Sequence, residues 1–445
     1  MRADFQRTFE NIQRIAASMG VRDVEALIGS EREALTRFSN NAIHQNVSEQ
    51  ARALSVRVVI DQKTARASTN QFDDDSVRRT VEAAIALTKS VEPDPALLPL
   101  HEPEPYTDVV RFDRDTAEAS PQRRAHAVAE AIRIVESASQ TAAGIYSTKS
   151  AAMGIYNSRG VSAWHEETVA CFSITAMAED SSGWAKASAV RLADLDPAAL
   201  ARGASRKARV SAKPREIDPG DYVVVLEPAA VLDLVGQMFA DFSGTAVADE
   251  RSFLTGRVGE KLFGDNIHIY DDVYHPLQAG AAFDGEGVPR QRLTLVEAGV
   301  PRELTYSRAS AQKAGTKTTG HGFPLPNEVG EAPLNIVIAG GDTPVDAMIA
   351  STERGVLVTR LWYIREVDPY EKIMTGMTRD GTFLIEDGKV VAGLKNFRFN
   401  QGLSELLSNV EAMSPGVRAT GEEAFDMVVP AMKASNFHFT EVTRF

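Results

Sequence analysis

Three groupings of side chains in this sequence have the residue types for chemistry. His165-Glu166-Glu167 opens like a zinc-peptidase motif, in which two histidines one helical turn apart hold the metal and a glutamate between them activates water. No second partner follows, because the next histidine is His268. The surrounding residues also alternate as a strand does, and positions four apart on a strand do not converge on an ion. An exposed polar strand is the simpler reading.

His268, Asp271, Asp272 and His275 crowd into HIYDDVYH, enough donors for a divalent ion. Alternation puts His268 and Tyr270 on one strand face, Ile267 and Ile269 on the other, and the two aspartates at a turn. A metal there is therefore an alternative and not the first expectation, since catalytic zinc needs three well-placed ligands. His321 stands between Gly320 and Gly322, after a TKTT run that ends in Thr319. Flanking glycines let backbone approach a ligand, and hydroxyls supply donors, so these four residues are a candidate substrate-binding loop, set against a loop without function. Asp284, Glu286 and Glu297 suit an acid pair or, equally, turns and caps. A phosphate-binding Walker loop, a G-x-S-x-G elbow and a strand-linked G-x-G-x-x-G are all absent. The single cysteine, Cys171, sits in the alternating TVACFSITAMA and reads as a small apolar residue, with no partner for a disulfide.

These residues need a scaffold, and 445 residues are too many for one core. Net charge is −13, with no Lys/Arg run interleaved with aromatics, which argues against direct contact with nucleic acid. No apolar run reaches the roughly 18–20 residues of a membrane span, and the first twenty residues lack a signal-peptide core, so a cytoplasmic location is expected.

Phe5, Phe9, Ile12, Ile15 and Met19 recur at helical spacing up to Gly20. Strands follow through Ile60, with a turn at Asp61-Gln62-Lys63, then a helix from VRRTVEAA with Asp74, Asp75 or Ser76 as its cap. Pro93, Pro95, Pro99, Pro103 and Pro105 forbid regular structure and predict a linker or surface strap. A second helix opens at Ser120-Pro121, strands return with a turn at Asn157–Gly160, and a third helix opens at Asp196-Pro197. The expected fold class is α+β. Helix-plus-strands modules span 1–92 and 120–212, separated by a linker at 93–119. A second linker at 213–221 leads to a mainly β domain over 222–445.

Several segments carry a family resemblance: TRFSNNAIHQN, IYNSRGVSAWHEET, SFLTGRVGEKL, IYDD, FDGEGVPRQ and MTGMTRDGTFLIEDGKVVAGLKNFRFNQ. In this order, over nearly the whole chain, they resemble the TldD/PmbA family, which contains zinc peptidases, relatives without zinc, and proteins named as modulators of DNA gyrase. In the peptidase branch the resemblance implies H-E-x-x-x-H on a helix early in the C-terminal domain and a cysteine near the C-terminus. The matching segment here runs from Glu227 to Gln237 and places Leu232 and Gln237 at the histidines and Asp233 at the glutamate. No cysteine follows Cys171. The resemblance therefore implies the TldE/PmbA-like branch: a subunit without its own zinc, paired with a TldD-like zinc-bearing subunit or with itself, around a chamber for peptide or unfolded polypeptide. Ala309 to Pro324 would be candidate chamber lining. Two other readings remain. One is a self-associating metallopeptidase using His268, His275 or His321, and the other is a stand-alone peptide-binding protein of the same fold.

Overall fold

The structure, a computed structural model, describes residues 1–443 and is α+β. Its first region is one six-stranded antiparallel sheet in the order β3-β2-β1-β4-β5-β6. The strands are β1 (Asp23–Ser39), β2 (Ala42–Ile60), β3 (Lys63–Thr69), β4 (Thr141–Asn157), β5 (Ser162–Met177) and β6 (Ser182–Ala189). The helices are α1 (Arg2–Ser18), α2 (Asp74–Ser90), the short α3 (Arg114–Ala117), α4 (Pro121–Glu136) and α5 (Pro197–Val210). Each half of the sheet is thus three sequential strands flanked in sequence by two main helices, and the halves join through β1 and β4.

All four long helices cover one face of this sheet. Phe5, Phe9, Ile12 and Ile15 of α1 pack with Val77, Val81 and Ala84 of α2 on Val24, Ala26, Ile28, Leu54, Val56 and Val58. Val128, Ala131 and Val135 of α4 and Ala201, Ala204 and Ala208 of α5 pack on Tyr146, Ala170, Phe172 and Ile174. Full burial of each large apolar side chain contributes about 1.5–3 kcal/mol. The strand parity is what makes one face apolar, as the alternation in sequence required. Asp61 and Gln62 both take positive φ, 49° and 60°, which turns β2 tightly into β3.

The caps follow the sequence with one correction. Ser120 accepts from Arg123 N–H and Asp196 from Ala199 N–H, as expected. The cap of α2 is Asp73, which accepts from Ser76 N–H, so Asp74, Asp75 and Ser76 all lie inside the helix. The residue before them captures the orphan amide because its own backbone is extended.

The opposite sheet face meets the C-terminal region. Glu25, Arg57 and Arg66 stand directly across neighbouring strands there. Arg57 donates to both carboxylate oxygens of Glu25 at 3.0 and 2.8 Å, and Arg66 donates to Glu25 at 2.7 Å and to the Leu325 carbonyl at 2.8 Å. The proline-rich segment is a strap across this junction: Asn157 donates to the His101 carbonyl, Tyr106 to the Gly287 carbonyl, and Arg111 to the carbonyls of Val273 and His275.

The C-terminal region is mainly β, with short helices. One sheet orders β10-β9-β8-β11-β18-β17, built from β8 (Ile269–Asp271), β9 (Leu293–Glu297), β10 (Val300–Pro301), β11 (Ile336–Ile338), β17 (Val417–Ala419) and β18 (Met427–Val429). The other orders β12-β7-β19-β15-β13-β14, from β7 (Gly220–Leu226), β12 (Arg354–Asp368), β13 (Ile373–Glu386), β14 (Lys389–Gly393), β15 (Phe397–Gly402) and β19 (Met432–Val442). Because β12 also pairs with β13, this second sheet closes on itself. β16 (Val410–Met413) attaches to β19. Helix α6 (Pro228–Val235) follows β7 directly and, with the turn at Gly236–Phe242 after it, fills the core with Leu232, Leu234, Phe239 and Phe242. Short helices α7 (Gly244–Ala248), α8 (Arg308–Ala314), α9 (Val345–Ala350) and α10 (Leu403–Ser408) complete it.

Candidate functional site

Helix α6 starts where the sequence says it should, with Pro228 in its first turn after β7. It carries Leu232 and Asp233, and the tighter turn that follows it carries Gln237; none of these three positions aligned with the zinc motif faces an open ligand site. Leu232 is fully buried in the core and has no donor atom. Asp233, also fully buried, accepts from the backbone N–H groups of Glu422 and Glu423 through Oδ1, at 3.0 and 2.9 Å. Gln237 donates through Nε2 to the carbonyls of Asp233 and Glu423, at 3.0 and 3.3 Å. The helix therefore grips the Gly421–Glu423 loop by hydrogen bonds.

This donor set does not fit a zinc ion. One position is aliphatic, the amide nitrogen of Gln237 is committed as a donor, and Oδ1 of Asp233 is saturated by two amides. Oδ2 of Asp233 is buried without a partner. Burial pushes this carboxyl up to about 6, with Glu422 and Glu423 adding to the rise against the two amides that oppose it.

The far side of the loop is fastened to the N-terminal sheet. Lys186 donates to the Gly421 carbonyl at 2.6 Å and to Glu422 at 3.2 Å. Ser188 donates to Asp426 at 2.6 Å, and Arg418 reaches the same carboxylate at 2.9 Å. Glu423 accepts from Tyr363 N–H and lies 3.5 Å from Arg365. One short loop thus links α6, β6 and the β12–β13 hairpin. Nothing local in the sequence marks Gly421–Glu423, because its partners lie up to 236 residues away.

His321 is placed differently from the ligand-facing loop that the sequence suggested. Its side chain is fully buried, 3.1 Å from Asp271 through Nε2 and 3.0 Å from the Thr319 hydroxyl through Nδ1. Asp271 also accepts from Leu334 and Asn335 N–H. Burial raises the Asp271 carboxyl, but the neighbouring imidazole outweighs this and holds it below the usual range. The two glycines serve close packing: a Cβ at Gly320 would collide with the Pro289 carbonyl, and one at Gly322 with Glu286. Of the stretch from Ala309 to Pro324, the residues facing outward are Gln312–Lys317 and Pro324.

The histidine–aspartate cluster comes apart. His268 Nδ1 accepts from Ala298 N–H, Asp271 turns to His321, Asp272 lies 3.3 Å from Arg292, and His275 Nδ1 accepts from Leu277 N–H. Among the described residues no three His, Cys, Asp or Glu side chains converge on a point that could hold a metal. The strand β8 and the turn after it send His268, Asp271, Asp272 and His275, the alternative ion ligands, to different neighbours. For His165 the expectation is corrected. It lies on β5 as expected but is buried, 3.3 Å from Glu167, which in turn accepts from Gly280 N–H.

Asp284 and Glu286 are buried close to Gly322, and both are raised. Burial dominates at Glu286 and Asp284 adds to it, taking the carboxyl to about 7, although it accepts from Arg308 N–H. At Asp284 burial outweighs the amides of Glu286, Val288 and Gly322. Glu297, by contrast, is exposed, so it forms no pair with them. Cys171 is half-buried, and burial pushes its thiol up to about 11.

A helix-layered sheet strapped to a closed β region, with a buried aspartate at the position aligned with the motif's glutamate, makes up this α+β chain. The family description "PmbA/TldA metallopeptidase C-terminal domain" matches residues 219–441, with domain 1 matching 24–88 and the central domain 101–212. The chain belongs to the PmbA/TldD family. It is 22% identical to the metalloprotease PmbA of Escherichia coli O157:H7 over 86% of this chain and 85% of that one. Over a shorter stretch it is 38% identical to an uncharacterized protein of Methanocaldococcus jannaschii, covering 22% of this chain and 24% of that protein. In three dimensions it is similar to TldE from Thermococcus kodakarensis, with a TM-score of 0.88 at 22% identity, over 98% of this chain and 100% of that one.

Proposed function

We propose that this chain is a TldE/PmbA-like subunit of a peptide-processing, TldD-type metalloprotease system, without a zinc site of its own, and that it shapes or gates the peptide chamber. The observation that carries the reading is the state of the motif positions: Leu232 is sealed in the core, Asp233 accepts two amides of the Gly421–Glu423 loop through Oδ1, and Gln237 donates to the carbonyls of Asp233 and Glu423. In this role the helix is an architectural element, and the zinc-bearing partner supplies a Lewis acid and an activated water. The acidic surface charge fits peptide handling better than DNA binding. Substrate is held as an extended strand that reads backbone more than side chains.

The test is metal content and peptide cleavage, measured for the purified chain alone and after co-expression with its nearest zinc-bearing relative. The expected result is that both properties appear only in the co-expressed complex. Stoichiometric zinc together with cleavage by the isolated chain would overturn the reading.

A further inference from the structure

The four long helices leave the middle of their sheet face open. On β1 the apolar cluster under α1 and α2 ends at Ile28, and the one under α4 and α5 begins at Phe38. Between them a cleft of about 370 Å³ reaches the sheet, lined by Arg32, Gln50, Ser150, Ala152 and Phe112 among others. Arg32 stands opposite Gln50 on β2 and opposite Ser150 on β4. At its narrow end the cleft continues past Arg32 and Ser150 to Ala119 and Thr148. Behind that end lies Arg124 of α4, fully buried. Its Nη1 donates to the Ala119 carbonyl at 3.0 Å and to the Thr148 hydroxyl at 3.3 Å, so both of its acceptors line the narrow end. Its Nε is buried without a partner. A guanidinium sealed from water calls for a counter-charge, and no carboxylate supplies one among the described residues. Burial depresses the Arg124 pKa, Tyr146 opposes this, and Arg32, a second cation, depresses it further. Arg32 is exposed and makes no hydrogen bond or ion pair among the described residues. Two guanidinium groups thus flank the closed end of the cleft, and no acid lines that end.

We propose that this end of the cleft binds a phosphate group, either as the free anion or as a small phosphate ester. Arg32 offers a guanidinium fork, and Ser150 offers a hydroxyl with no partner in the chain. Thr148 accepts from Arg124, which leaves its own proton to donate into the cleft. The buried charge of Arg124 therefore reaches the ligand through a polarised hydroxyl, in surroundings where water screens it little. A dianion matches two guanidinium groups, whereas a carboxylate would leave one of them uncompensated. The acids elsewhere in the cleft stand apart. Glu118 lies 3.2 Å from Arg114, and Glu166 on β5 is two strands and two residues away from Arg32, roughly 12 Å between backbones. The overall charge of −13 opposes a long polyanion far more than one phosphate, because salt screens charges beyond about 8 Å.

Calorimetric titration of the full chain with inorganic phosphate, glycerol 3-phosphate and acetate, at constant ionic strength, tests the proposal. The expected result is saturable binding of one phosphate per chain, which Arg32→Ala weakens by about tenfold or more. Arg32→Lys, which keeps the charge but loses the fork, should fall between the two. Because Arg32 is exposed and unbonded, circular dichroism and the melting temperature in phosphate-free buffer should not change in either variant. Tighter binding of the ester than of phosphate assigns the rest of the cleft to the ester's body, and equal binding assigns the site to the free anion. Absence of saturable phosphate binding overturns the proposal. So does binding that Arg32→Ala leaves intact, or acetate held as tightly as phosphate. None of these readouts depends on zinc or on peptide cleavage.

Discussion

Asp233 and Gly421 are packed so closely that a Cβ at residue 421 would overlap the carboxylate of Asp233. The loop can reach its two amide hydrogen bonds only because residue 421 has no side chain. Gly421→Ala is expected to displace the loop and leave the buried carboxylate with fewer donors, at a cost of about 1–3 kcal/mol. Urea denaturation of the purified variant checks this. An unchanged midpoint would mean that the loop is not held by Asp233.

Glu286 gives a pH dependence with a definite sign. Its carboxyl is raised from 4.5 to about 7, so between those values the folded chain keeps a proton that the unfolded chain releases. Stability from this group therefore falls as pH rises through that window and is level above it. Glu286→Gln should remove the decline, worth roughly 3 kcal/mol in the limit. Compared at pH 8, the variant should melt at or above the native temperature, and that advantage should vanish at pH 4.

Asp271 works in the other direction. Its carboxyl is held low beside His321, so its contribution is present above the unfolded value and is lost as pH falls through the folded one. Asp271→Ala also strands the Leu334 and Asn335 amides and the buried imidazole. A loss of about 3–5 kcal/mol is expected, measurable by chemical denaturation, while Thr316→Ala on the exposed part of the same loop should change little.

The Glu25–Arg57–Arg66 network ties the first sheet to the C-terminal region through the Leu325 carbonyl. Glu25→Ala leaves two guanidinium groups without their carboxylate and should cost about 3–5 kcal/mol. Limited proteolysis should then cut the strap between residues 93 and 113 faster than in the native chain. Unaltered cleavage would show that the junction is held by apolar contacts alone.

Cys171 should resist thiol reagents. With its thiol raised to about 11, the reactive thiolate is scarce at neutral pH. Labelling in the folded state should be slower than in urea by about a hundredfold, and rapid native labelling would contradict the buried setting.

The elements were legible in the sequence where the signal was local. Phe5, Phe9, Ile12 and Ile15 announce α1 by spacing, Ser120-Pro121 announces α4, and the proline density announces the strap. The joining of both helix-plus-strands modules into one sheet was not legible, because the β1–β4 pairing spans more than a hundred residues and leaves no local trace. The motif residues divide in the same way. Leu232 and Gln237 could be read as non-ligands from their chemistry alone. His321 could not be read as buried, because flanking glycines look the same whether they admit a ligand or a neighbouring carbonyl. The two differ only in what packs there, here Pro289 and Glu286.

The closed β region sets a clock on synthesis. Strand β7 is made early but must pair with β19, roughly two hundred residues later, before the ring β12-β7-β19-β15-β13 can shut. At about 5–20 residues per second, the apolar faces of Val224 and Leu226 wait about 10–40 s for that partner. The N-terminal sheet needs nothing beyond α5, so it is complete well before then. Its finished face, bearing Lys186 and Ser188, is the surface on which the late loop at Gly421 comes to rest.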